Sequence, residues 1–291
     1  MQPRHSCSPD PSGKPFQLRG KSQLRRAISV AGLLALGVGS AVSTARAQEV
    51  SPALYMAVPI TTGSDTRFRA GGFAKAFREV MVKLTGEPRL DDDIRIKLMA
   101  VHAANLVASF GYVDKMVAFF HHDDQGTYDR PFDLTVHFDP GKIDATIAEL
   151  GESKWTDVRP TVVPVIVVRG TAKSYLLTRT ISDGVAMRGS FARAGIKFGM
   201  PVRIPRALEL TDWGVAQDRP LPAVVSSQTE ARVYGTMEFK SNAPIGWTVN
   251  WRMHWDGTDY SWKVEGVSYD AAFDSMVAGV ARVASGHGAP D

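Results

Sequence analysis

Cysteine is all but missing from this 291-residue chain, whose one thiol is Cys7. Past that residue there can be no disulfide, thiolate metal site or thiol nucleophile. Long apolar runs are equally scarce. One stretch, Ala27 to Val42, spans 16 residues, short of the roughly 20 that a membrane-spanning helix needs, and no second such run follows. Several enzyme signatures are missing too. There is no Gly-x-Ser-x-Gly elbow, no Ser-x-x-Lys with its partner motifs, no His-x-His and no His-Glu-x-x-His pair. Gly170-Thr171-Ala172-Lys173-Ser174 follows an apolar strand but carries Ala172 where a phosphate loop needs glycine before its lysine. No metal or cofactor is expected, and catalysis is uncertain, with the balance leaning away from an enzyme.

What the chain does have is a leader pattern. Lys21, Arg25 and Arg26 precede the apolar run, and Thr44-Ala45-Arg46-Ala47 closes it with small residues at alternate positions. Positive, then apolar, then small is the layout of a secretory signal, with cleavage expected between Ala47 and Gln48. Arg25-Arg26 raises twin-arginine export, although the residues flanking the pair fit that signal poorly. No cysteine follows the run, so no lipoprotein anchor is expected. A periplasmic protein without a stable membrane span is the resulting expectation.

The leader also distorts the charge. Overall the chain is +4, but residues 1–47 hold seven of its 34 basic and one of its 30 acidic residues. The remainder carries 27 basic and 29 acidic residues, a net charge of −2. Such a surface has no general pull toward phosphate backbones, so nucleic acid is not an expected partner.

Residues 48–151 read as one α+β unit of order β-α-α-β-β-α. Leu54 to Ile60 is the first strand, with Pro59 near its end. Ser64 or Asp65 caps a helix whose Phe73, Phe77, Val80, Met81 and Leu84 form one buried stripe, stopped by Gly86 and Pro88. Asp91, Asp92 and Asp93 open a second helix, continued by Ile94, Leu98 and Val101. Tyr112 to Phe120 is a strand, and His121 to Arg130 a polar turn. On the returning strand Phe132, Leu134, Val136 and Phe138 alternate with Asp133, Thr135 and His137. Asp139-Pro140 starts a helix with Ile143, Ile147 and Leu150 inside, ended by Gly151.

Residues 152–160 read as a linker and 161–285 as a second α+β unit. Val162 to Val168 is a buried strand in which Pro164 suggests an edge. A helix spans Ser182 to Ala194 and ends at Gly195. Residues 199–222, with four prolines, read as a surface excursion around Trp213. Arg232 to Phe239, Trp247 to Trp255 and Tyr260 to Val267 are three antiparallel strands joined by turns at Asn242 to Gly246 and Asp256-Gly257. Asp270 to Val283 is a closing helix, with Phe273, Met276, Val277 and Val280 on one side, and residues 286–291 are a frayed tail. The fold expected is therefore α+β, two small units with an antiparallel or mixed sheet backed by helices in each.

Two side-chain groups stand out. Trp247, Trp251 and Trp255 alternate along one strand, and Trp262 shares their side on the next. Exposed, these indoles make a platform for sugar rings. Covered by the closing helix, they are core. The second group is polar. His121-His122-Asp123-Asp124 concentrates metal-capable groups, but adjacent residues of an extended chain point to opposite faces, which favours a solvated turn. His137 and Asp133 on the following strand complete the one polar constellation where His121 can find company.

Several short stretches resemble a known pattern. They are Val58-Pro59, Lys83-Leu84-Thr85-Gly86, Tyr112-Val113, Phe138-Asp139, Trp155 with Arg159-Pro160, and Gly235, Trp251, Trp255 and Trp262 ahead of a final helix. Together they resemble the bacterial exported envelope family catalogued as domain of unknown function two-thousand-and-sixty-six. The resemblance implies an exported protein and brings no established activity. The functional expectation is a non-catalytic binding or scaffold protein of the cell envelope. Its partner is expected to be an envelope protein, with peptidoglycan or another glycan as the second choice. An envelope hydrolase acting on glycan or peptide, and a glycan-binding module using the tryptophan strand, stand as the alternatives.

Overall fold

The computed structural model describes residues 51–116, 130–180 and 182–290. Among them six α-helices and two sheets make an α+β fold. The expected first strand is broken: Pro52–Tyr55 is a 3-10 turn, followed by β1 (Met56–Ala57) and β2 (Ile60–Thr61). Between them Pro59, which has no N–H to give, still accepts from the Leu134 amide at 2.9 Å. Helix α1 (Thr66–Thr85) buries the expected stripe and ends at Gly86, whose left-handed φ of 77° closes it with a bond to the Val82 carbonyl.

Helix α2 (Ile94–Ala100) starts at Asp93, whose carboxylate accepts from the Arg95 amide at 2.7 Å. Its buried face differs from the one expected. Ile96 and Ala100 are inside, whereas Ile94, Leu98 and Val101 are 65–73% exposed. Strand β3 (Val107–Asp114) begins five residues before Tyr112. Strand β4 (Phe132–Phe138) is the centre of the first sheet, with β1 and β2 on one side and β3 on the other, all antiparallel. Its alternation holds: Leu134, Val136 and Phe138 are buried and His137 is exposed. Helix α3 (Pro140–Glu149) is capped by Asp139 and buries Ile143 and Ile147.

The join between the sheets is packed. Trp155 is buried, and the Arg159 guanidinium lies 4.1 Å from its ring centre while donating to the Lys83 carbonyl at 2.6 Å. Burial pushes the Arg159 pKa down to about 10.

The second sheet has the order β6-β5-β7-β8-β9. Its strands are β5 (Thr161–Arg169), β6 (Ser174–Leu176), β7 (Glu230–Lys240), β8 (Gly246–Trp255) and β9 (Thr258–Val267). Strand β5 pairs in parallel with β7, and the other pairs are antiparallel. Pro164 thus sits in an interior strand rather than at an edge. Val162 exchanges bonds with Pro201 and Arg203, and Ile166 accepts from Leu177, all on the side away from β7. By alternation Pro164 faces that same side, in the gap between those contacts, where no ladder bond is lost.

Helix α4 (Val185–Phe198) runs past Gly195 and ends at Gly199. The Gly195 Cα lies so close to Val202 that an added Cβ would sit 2.6 Å from its side chain, so this glycine serves packing rather than termination. Residues 199–222 run mostly over the surface, as expected, but carry a packed helix. Their helix α5 (Ala207–Asp212) puts Leu210 onto Val165 and Tyr234, with Val215 beside it, covering the sheet face opposite α6 (Tyr269–Ala284). Trp213 lies under the Arg232 guanidinium at 3.9 Å. Phe273, Met276, Val277 and Val280 of α6 are fully buried, in a core that runs continuously through both sheets. Nor is the tail frayed: the Ala289 carbonyl accepts from Arg282 Nε at 2.8 Å, and the Ser285 hydroxyl donates to the Gly86 carbonyl at 3.1 Å.

Candidate ligand-binding clefts

Alternation along β8 points Trp247, Val249, Trp251, Met253 and Trp255 toward α6. At the middle of the strand the register is Gly235, Trp251, Trp262 across β7, β8 and β9. Trp251 is fully buried, and Gly235 makes room for it: a Cβ there would lie 2.6 Å from the indole. Trp262 is 6% exposed and donates from Nε1 to the Ser275 carbonyl of α6 at 3.3 Å. These two tryptophans are core, not platform, because α6 lies over them. Trp247 and Trp255, at the strand ends, are half-buried and each lines an open cleft. Eight residues of strand separate them by roughly 26 Å.

The cleft at Trp247 has a volume of about 510 Å³. Tyr175 of β6, Phe239 of β7, Trp247 of β8 and Tyr269 at the start of α6 bring four rings to it, with Met187 of α4. Phe239 and Trp247 meet edge to face at 5.4 Å. The Tyr175 hydroxyl donates to the Met187 sulfur at 3.4 Å. Its phenol pKa is raised, first by burial and then by the Asp183 charge. Among the described residues no charged side chain lines the groove. Sequence reasoning found Trp247 and missed Tyr175, Phe239 and Tyr269. The signal for Phe239 was present: a hairpin turning at Asn242 to Gly246 sets it directly across from Trp247.

Of the polar constellation, the two members among the described residues, His137 and Asp133, do not come together. His137 is exposed and paired across the sheet with Met56 and Ser109. Asp133 accepts from Lys115 Nζ at 2.9 Å. Four residues apart on one strand, the two are roughly 13 Å from each other, and neither lines any of the clefts described here. His121 lies outside the described residues. Among those residues no group of three His, Cys, Asp or Glu side chains is placed to hold a metal ion. The Gly170 to Ser174 stretch is the hairpin turn between β5 and β6, closed by the Gly170 amide on the Lys173 carbonyl at 2.9 Å, and Lys173 is ion-paired with Asp183. No helix of the described residues is long and apolar enough to cross a membrane.

Residues 47–156 match a family described as a domain of unknown function (DUF8605). This corrects the resemblance drawn from the short motifs, since the family that matches is a different one. The matched stretch contains the first sheet, α1 to α3 and Trp155. Among curated proteins and among solved structures, nothing matches the chain.

Proposed function

We propose that the chain is an exported, non-catalytic binding protein of the bacterial cell envelope, and that the groove at Trp247 receives an apolar segment of a partner protein. The observation that carries this reading is the convergence of four rings from four separate elements on one open groove, with no charged side chain among its described lining residues. Ligand sites are concave and mostly apolar, with few polar groups. Sugar sites also need planar polar side chains to hold ring hydroxyls, and among the described residues the side-chain hydroxyls here come only from Thr171, Tyr175 and Tyr269. That balance favours apolar side chains of a protein over a glycan. The leader pattern of residues 21–47 supports export.

Val185 is 63% exposed on the groove rim, so a photo-crosslinking residue fits there without disturbing the core. In intact cells it should give a discrete adduct that disappears with Trp247→Ala, and a synthetic peptide from the captured segment should bind the purified protein. Binding of muropeptides with loss on Trp247→Ala, or an adduct indifferent to that substitution, would overturn the reading.

A further inference from the structure

The second cleft, at Trp255, has different chemistry. Its volume is about 560 Å³, and four stretches distant in sequence close around it. They are the join at Asp157, the turn at Ser226 and Ser227 before β7, the β8–β9 turn from His254 to Gly257, and Ala284 at the end of α6. Most of its polar groups are already engaged. The Ser226 hydroxyl accepts from the Arg232 amide and the Ser227 hydroxyl from the Glu230 amide, each at 3.1 Å. His254 Nδ1 is 2.7 Å from Asp259. Two carboxylates remain, Asp157 and Asp256, and neither has a hydrogen-bond or ion-pair partner among the described residues. Among the described residues no lysine or arginine lines the cleft. Ala284 adds the negative end of a 16-residue helix.

We propose that this cleft binds an organic ammonium group, seated against the Trp255 indole between Asp157 and Asp256. An indole face attracts a cation through its quadrupole, and the two free carboxylates supply the opposite charge. His254, which also lines the cleft, is engaged by Asp259, and among the described residues no group of three His, Cys, Asp or Glu side chains is placed to hold a metal ion, so the pair is too small a donor set for one. An ammonium group needs only this pair and the ring. The group has two sources with the same chemistry, the lysine side chain of a peptide or a free polyamine. The site is independent of the groove at Trp247, sharing none of its lining residues.

The test is calorimetric titration of the full-length secreted chain with Nα-acetyl-lysine methylamide, with spermidine, and with the uncharged norleucine analogue. At least one cation should bind, more weakly as salt is raised, and the norleucine analogue should not. Whichever cation binds identifies the source. Asp157→Asn and Asp256→Asn should each weaken binding by about tenfold, the scale of one charge-assisted contact, and together abolish it. Both variants are expected to fold, since Asp157 is exposed and asparagine tolerates the positive φ of 46° at position 256. Trp255→Leu should weaken binding as well, and the two asparagine variants carry the test if that protein does not fold. Equal binding of norleucine, affinity unchanged in the double variant, or no binding of either cation at millimolar concentration would overturn the proposal.

Discussion

Arg282, in the last turn of α6, is ion-paired with Glu87, which lies 195 residues earlier just beyond the end of α1. Both side chains are almost out of solvent, at 9% and 12% exposure. Each has a further partner: Glu87 accepts from the Arg89 amide at 3.0 Å, and Arg282 donates to the Ala289 carbonyl at 2.8 Å. The pair ties the end of the chain to the unit that contains the first sheet. Removing one partner strands the other charge in a dry site, which costs about 3–5 kcal/mol. Glu87→Gln and Arg282→Met are each expected to destabilise by that order in urea unfolding. The double variant should lose clearly less than the sum. Single variants as stable as the parent would show that the contact contributes nothing.

Gly235 and Trp251 should couple in the same way. A methyl at position 235 meets the indole at 2.6 Å, so Gly235→Ala is expected to cost about 1–3 kcal/mol through overpacking. Trp251→Leu on its own leaves a cavity and costs a few kcal/mol. Combined, the smaller side chain relieves the clash, and the double variant should be more stable than additivity predicts. Strict additivity would contradict the packing described.

On α2 the contrast is between Ile96, fully buried, and Leu98, 65% exposed. Ile96→Ala is expected to cost about 2–5 kcal/mol. Leu98→Gln should stay within about 0.5 kcal/mol of the parent. Reversed costs would mean that the helix presents its other face to the core.

His287 gives a pH dependence. Its imidazole pKa is held below the ordinary 6.5, first by burial and then by the nearby Arg282 charge, with Glu152 acting the other way. The folded state therefore disfavours the proton that the unfolded chain takes up near 6.5. Stability from this group is intact above that value and is lost as pH falls below it toward the depressed folded value. His287→Asn removes the titration. Between about pH 7 and pH 5 the parent should lose stability relative to this variant. Parallel pH profiles for the two proteins would exclude the effect.

The clearest parts of the fold were legible because local pattern and final environment agree. The Phe273 stripe of α6, the alternation in β4, and the caps at Asp93 and Asp139 each need only neighbouring residues to be read. Helix α2 shows where that fails. It carries two apolar stripes, Ile94 with Leu98 and Val101, and Ile96 with Ala100. Which one is buried depends on where the helix lands against α1, a contact that no window of sequence contains. Pro164 misled for a similar reason. Its restriction concerns one side of the strand, and β5 is unpaired on that side at that residue although it has neighbours on both sides elsewhere. The prolines of residues 199–222 signalled irregular backbone correctly, but irregular backbone can still cover a sheet, as Leu210 does. For the clefts, the sequence marked all four tryptophans, with the strand ends Trp247 and Trp255 as the ones that can protrude, and these two are the half-buried ones. Position along the strand decides, because α6 reaches the middle of β8 and leaves its ends open.

The Arg282–Glu87 contact also sets an order of events for a chain that emerges from its N-terminus. The turn after α1 is made early, but its acidic side chain waits for a cation nearly two hundred residues behind it. Until the last turns of α6 are out, the pair with Arg282 cannot form. The two partners are thus made far apart in time, and this contact belongs to those that can form only late.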